Sequence, residues 1–208
     1  LWGDMISKNF KKRFITSLFL LSITFLIMSF KFMLIYSLLI LSVLSIIEFG
    51  NLTKKIFRSN SYIILFNMFF ISYIFLFCFF SIFFSNFIQL KLILFSLLFA
   101  CIASDIGGYV LGKSLKGPKL TKISPNKTVS GAIGSLIFSV IVISFFIYFF
   151  TNKFDFKIIT VGICTSLSCQ LGDLFFSYLK RKAKLKNTGN FLPGHGGVLD
   201  RIDGILLG

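Results

Sequence analysis

Asp173, Ser177, Lys180, Asp200 and Asp203 are polar side chains in a chain that is 56% hydrophobic, and their types and spacing suit the handling of a divalent cation and phosphate groups. Asp173, Ser177 and Lys180 stand at i, i+4 and i+7, which places all three on one face of a helix. Asp200 and Asp203, at i and i+3, also share a face if the chain from Val198 onward is helical, with Gly194, Gly196 and Gly197 supplying the turn before it. Three carboxylates from two helices can then meet. Oxygen ligands without a thiol or imidazole cluster favour Mg²⁺, which takes one or two carboxylates and completes its shell with water and substrate phosphates. The alternative is a structural network in which Lys180, Arg181 and Arg201 neutralise the three acids.

These residues lie between Gln170 and Gly204, a stretch that also holds His195, the one histidine of the chain. A histidine between glycines invites the role of general base. If the nucleophile is a phosphate monoester, however, its second pKa of about 6 leaves it mostly dianionic near neutrality, and no base is required. Positioning and charge neutralisation are what such a reaction needs. Hydrogen bonding to a phosphate, or holding the loop, are the roles left open for His195.

The elements that must carry these groups are membrane helices. A mean hydropathy of +0.90 and thirty Phe in 208 residues place the chain in the membrane class. Windows of roughly 20 apolar residues, the length that crosses a hydrocarbon core as helix, predict spans over Phe14–Phe30, Phe32–Phe49, Ser61–Phe84, Leu92–Gly112, Val129–Phe150 and Ile158–Leu179. A short piece, Val198–Gly208, cannot span alone. The expected fold is an all-α polytopic bundle of about six to seven transmembrane helices with a short C-terminal interfacial or re-entrant helix. Asp173, seven residues before Lys180, then lies roughly 10 Å from the end of its helix, a depth at which a lipid headgroup can meet a soluble substrate.

The formal net charge of +15 is mainly topological, with compositional drift toward Lys, Asn, Ile and Phe as the alternative source of part of it. With a cytoplasmic N-terminus, 17 of the 22 Lys and Arg, from Lys8 to Lys186, fall on the cytoplasmic side, the asymmetry of the positive-inside rule. A nucleic-acid partner is not expected. The first apolar segment lacks a small-residue cleavage site and leads into a second span, so it reads as a retained helix. Cys78, Cys101, Cys164 and Cys169 lie in apolar spans without CxxC spacing and read as small buried hydrophobes.

Along the chain, residues 1–91 read as scaffold helices, with Glu48 at the end of its span, and residues 92–208 as the catalytic part. Polar character begins at Asp105, set within an apolar span. It is either close to substrate or a buried acid paired with a lysine of a neighbouring helix. Gly107, Gly108, Gly112, Gly131 and Gly134 suit close helix packing.

The stretch Ser177–Asp203, S-x-L-K-R-x4-K-N-x-G-x2-L-P-G-H-G-G-V-x-D-R-I-D, resembles the signature of phosphatidate cytidylyltransferases, also called CDP-diacylglycerol synthases. Ser104-Asp105-Ile106-Gly107-Gly108-Tyr109, Ser124-Pro125-Asn126-Lys127-Thr128 and Gln170-Leu171-Gly172-Asp173-Leu174 are each similar to a family motif, in the family's order. The resemblance covers about the last half of the chain. It implies a multi-pass enzyme of the bacterial inner membrane, its site and N-terminus cytoplasmic, that joins CTP and phosphatidate to give CDP-diacylglycerol and pyrophosphate. It also implies Mg²⁺, in some members with a supporting K⁺, and a homodimer. Carried over by motif, Asp173 and Asp200 would be metal ligands with Asp203 beside them. Ser177, Lys180 and Arg181 would meet phosphate, and Lys127 and Arg201 would be further phosphate contacts.

Two departures from the family pattern stand out. Asn187 occupies a position that is usually Asp, and Val129-Ser130 a position that is usually Trp-Glu, implying reduced metal affinity or rate. Two relatives in function share pieces of these motifs, a CTP-dependent lipid-alcohol kinase and a CDP-archaeol-type synthase. An ion-coupled transporter and an inactive scaffold are the readings of another class. Clustering of the acids near one membrane face argues against the transporter.

Overall fold

The computed structural model describes residues 22, 24, 26–121, 124, 127–189, 191 and 196–208. The first expected span, Phe14–Phe30, lies largely outside the described residues, as do Pro125, Asn126 and His195. The other five expected spans are helices long and apolar enough to cross a membrane. They are α1 (Lys31–Ile56), α2 (Asn60–Ser85), α3 (Ile88–Leu115), α4 (Val129–Thr151) and α5 (Phe156–Lys182). The short terminal piece forms α6 (Leu199–Leu207). This is the expected helical membrane architecture. The helices run past the apolar windows into polar flanks, and two of them start at a side-chain cap. Thr128 Oγ1 accepts from the Gly131 amide at 3.1 Å at the start of α4, and Asp155 accepts from the Lys157 amide at the start of α5, each satisfying an end amide that the helix itself leaves unpaired. Lys180, Arg181 and Lys182 close the last turn of α5, where cations complement the negative end of the helix dipole.

Two compact units can be distinguished, residues 1–40 and 41–208. All residues of the site described below belong to the second. Within it, α3 and α4 pack backbone to backbone. A Cβ built on Gly107 would stand 2.6 Å from the Gly134 carbonyl oxygen, and one on Gly131 would stand 2.8 Å from that of Gly108. These contacts exist only because small residues line both helices, as the glycine spacing predicts. Polar staples add to the packing inside the bundle. Ser104 and Ser166 share a hydrogen bond of 2.9 Å between α3 and α5, and Gln170 donates to Ser166 at 3.2 Å and to the Ala132 carbonyl at 3.3 Å. Many of the aromatic side chains on α2 face outward, among them Phe66, Phe69, Phe75, Phe79 and Phe80, as lipid contact requires.

The short α6 is held in place by apolar burial. Leu199 and Leu206 enter a core with Phe49, Phe70, Ile74 and Phe176 from α1, α2 and α5. Phe49 and Phe70 stack at 3.9 Å between ring centroids, and Phe70 meets Phe176 edge-on. The Tyr73 hydroxyl donates to the Leu206 carbonyl near the end of α6, and Gly172 on α5 leaves room for the Asp203 carbonyl, which a Cβ would strike.

Candidate functional site

Three acids and two lysines cluster where α5 meets α6. Lys127 Nζ donates to Asp173 Oδ2 at 2.8 Å. Lys180 Nζ donates to Asp200 Oδ1 at 2.8 Å and lies 3.5 Å from Asp203 Oδ2. Asp173 and Asp203 face each other closely enough for their side chains to hydrogen-bond. The order in space is therefore Lys127, Asp173, Asp203, Lys180, Asp200. Asp173, Ser177 and Lys180 come from the last turns of α5, and Asp200 and Asp203 from α6, as their spacing predicts. The expected convergence of the two helices is observed, and so is part of the alternative, since Lys180 neutralises Asp200 and Asp203.

Lys127 reaches the cluster because of the loop before α4. Lys119 and Thr128 form an antiparallel bridge, with the Leu120 amide donating to the Lys127 carbonyl at 2.8 Å and the Val129 amide to the Pro118 carbonyl at 3.0 Å. The Lys127 amide donates to Ser124 at 3.1 Å. The backbone is thus pinned on both sides of Lys127. Asp105 on α3 stands near enough to Asp173 and Lys127 for their charges to interact. Of the remaining expected contacts, Ser177 is partly buried on α5, while Arg181 and Arg201 are exposed. His195 lies outside the described residues.

The two α6 carboxylates differ in electrostatics. Burial pushes Asp203 up, to about 7, and repulsion from Asp173 adds to that shift against the pull of Lys180. Burial also raises Asp200, but the Lys180 ammonium and the Thr188 and Gly197 amides outweigh it and hold this carboxyl below its usual value. Both Asp200 oxygens are engaged. Oδ1 meets Lys180, and Oδ2 accepts from the Thr188 amide at 2.9 Å and the Gly197 amide at 3.1 Å. Asn187, one of the departures noted above, stands beside this carboxylate, and both flank Gly196, whose φ is +87°.

Glu48 is the residue that sequence reasoning missed. It sits on α1, is 1% exposed, and accepts from Thr188 Oγ1 at 2.7 Å, the Val198 amide at 2.9 Å and the Leu199 amide at 2.9 Å. The one signal available was an acid at the end of an apolar span.

Among the described residues, no three acid, thiol or imidazole side chains are set to hold a metal ion. The pair Asp173–Asp203 fits a hard divalent cation in kind. Two facing carboxylates, one of them pushed to about 7, mark a place short of positive charge, and their donors are all oxygen.

The description "Cytidylyltransferase family" belongs to the sequence family that matches residues 2–208. The chain is similar to proteins named phosphatidate cytidylyltransferase. That of Rickettsia bellii is 46% identical over 124 residues, covering 53% of this chain and 52% of the relative. That of Mycobacterium leprae is 40% identical over 113 residues, covering 54% and 36%, and that of Helicobacter pylori is 40% identical over 112 residues, covering 54% and 42%. The chain spans about half the length of the curated relatives it matches, or less.

Proposed function

Because the chain belongs to the cytidylyltransferase family, we propose that it transfers the cytidylyl group of CTP to phosphatidate. The observation that carries this reading is the row of Lys127, Asp173, Asp203, Lys180 and Asp200, three acids held by two lysines at the end of a membrane helix. A phosphate oxygen of phosphatidate attacks the α-phosphorus of CTP, and a new P–O bond forms. The bond from that phosphorus to the bridging oxygen breaks, and pyrophosphate departs with the electron pair. The attacking monoester is mostly dianionic near neutral pH, so the site needs no base to activate it. Two polyanions must instead be brought together, which calls for fixed cations.

Lys127 and Lys180 are those cations, each poised on a carboxylate from which a substrate phosphate can draw it. Arg181 and Arg201 add bidentate donors at the exposed rim. Ser177, on the face of α5 shared with Asp173 and Lys180, donates to a phosphate oxygen. Asp173 and Asp203 would hold Mg²⁺, with Asp200 joining them on releasing Lys180. When bound, the ion supplies neutralisation of charge on the transferring phosphates. Asp105 borders the substrate side of the cluster, and His195 serves the loop or a phosphate.

The site faces the cytoplasm, where CTP is available, in a bacterial inner membrane. The family resemblance extends this to a homodimer. If loop 183–191 is cleaved by protease from outside the cell only, the orientation is wrong. The decisive assay uses purified protein with CTP, Mg²⁺ and phosphatidate. Wild type should form CDP-diacylglycerol and pyrophosphate in equal amounts, and Asp173→Asn should lose about 100-fold or more of that rate. Equal turnover by the two proteins refutes the role of Asp173. Phosphorylation of diacylglycerol with release of CDP assigns the kinase chemistry instead.

A further inference from the structure

The buried Glu48 carboxylate has no part in the reaction as described, yet it is bonded to the two segments that place the reacting side chains. Its oxygens accept from one hydroxyl, Thr188 Oγ1, and from two backbone amides, those of Val198 and Leu199. The amides belong to the opening of α6, where unpaired N–H groups and the positive end of the helix dipole favour an anion. No α6 side chain caps that end. A residue some 150 positions earlier in the chain does so instead.

The same few residues serve Glu48 and Asp200 in turn. Thr188 gives its hydroxyl to Glu48 and its amide to Asp200, while Gly197 donates its amide to Asp200 and the next residue, Val198, donates to Glu48. Glycines make the fit possible. A Cβ on Gly189 would stand 2.5 Å from Glu48 Oε1, and one on Gly197 would collide with Glu48 Oε2 and Thr188 Oγ1. The loop is therefore shaped around this carboxylate, and the position of Asp200, and through it of Lys180, depends on the result.

We propose that Glu48 is a positioning residue: an internal anion on α1 that docks the loop and the start of α6, and so holds Asp200 and Lys180 in register with Asp173. Its effect on turnover rests on the cytidylyl-transfer reading, whereas its docking role does not. Glu48→Gln keeps the side chain's shape but replaces one acceptor by a donor facing backbone amides. Thr188→Val removes a single hydroxyl and serves as the milder variant if Glu48→Gln fails to fold.

Hydrogen exchange on the purified full chain reads docking directly. The expected result is faster exchange at residues 196–204 in either variant, with α4 unchanged, and a turnover loss of about 10- to 100-fold for Glu48→Gln. The fall should lie mainly in kcat, since Lys127 and the exposed arginines still bind substrate. Glu48→Asp should recover part of it. Unchanged exchange at 196–204 overturns the docking role. Faster exchange with undiminished turnover overturns the positioning role. If wild type itself has no CTP-dependent turnover while the variants exchange faster, the docking stands and the cytidylyl-transfer reading falls.

Discussion

Replacing Lys180 by Met removes a cation shared by Asp200 and Asp203 while keeping an unbranched side chain of similar bulk. All three side chains are well buried, at 13%, 9% and 12% exposed, so solvent cannot take over the role of the ammonium. Breaking a buried pair from one side costs about 3–5 kcal/mol. Asp200 keeps its two amide donors, which places the loss at the lower end, at about 3 kcal/mol near pH 8. Asp203 has a second way out, because its carboxyl already titrates near 7 and can take up a proton when the cation is gone. The penalty should therefore shrink to about 1–2 kcal/mol at pH 6, at ~1.4 kcal/mol per pH unit of protonation. Adding Asp203→Asn, which fixes the neutral form, should recover roughly half of the loss at pH 8. Denaturant unfolding of the purified protein in detergent, with chelator present, measures all four combinations, and turnover of Lys180→Met should fall by about 100- to 1000-fold. A single variant within about 0.5 kcal/mol of wild type at pH 8, or a double variant no more stable than the single, refutes the reasoning that Lys180 holds these two acids.

Asp203 also gives the wild-type chain a pH signature in the absence of divalent metal. Its carboxyl is raised to about 7 in the fold from an ordinary 3.8, so between those values the native state binds one proton more than the unfolded state. That contribution is complete below 3.8 and is lost as pH rises through 7, with a slope near 1.4 kcal/mol per pH unit. Asp200, held below its ordinary value, acts in the opposite sense, and only in acid below about 4. Asp203→Asn should flatten the profile between pH 4 and 7, and an unaltered slope in unfolding titrations refutes the assignment. On the scaffold side, Gly107→Ala should cost about 1–3 kcal/mol, since the added Cβ would meet the Gly134 carbonyl at 2.6 Å. An unfolding midpoint unchanged from wild type would show that α3 and α4 can move apart freely.

The grouping of Asp173, Lys180, Asp200 and Asp203 was legible in the sequence because acids in an apolar background must be neutralised, and helical spacing says which of them share a face. Long apolar runs likewise disclosed the helices, and the glycines of α3 and α4 announced their close contact. Lys127 was harder. Its pairing with Asp173 across 46 positions depends on a loop whose bridge between Lys119 and Thr128 leaves no periodic trace. The motif resemblance pointed to it where spacing could not. Glu48 was hidden for a different reason. Its partners are two backbone amides and a threonine hydroxyl, groups present throughout any chain, so no complementary charge elsewhere in the sequence reveals the contact. Similarly, spacing places Asp200 on the same face as Asp203 but cannot disclose that amides and Lys180 occupy both of its oxygens.

The bonds that satisfy Glu48 span 140 to 151 positions, which has a consequence for biogenesis. Translation at about 5–20 residues per second emits the acid on an early hairpin and its partners roughly 7–30 seconds later. During that interval the carboxyl lacks the donors that satisfy it in the fold, and water or a proton must serve in their place. A chain halted before Thr188 lacks all three donors that satisfy this acid in the finished fold.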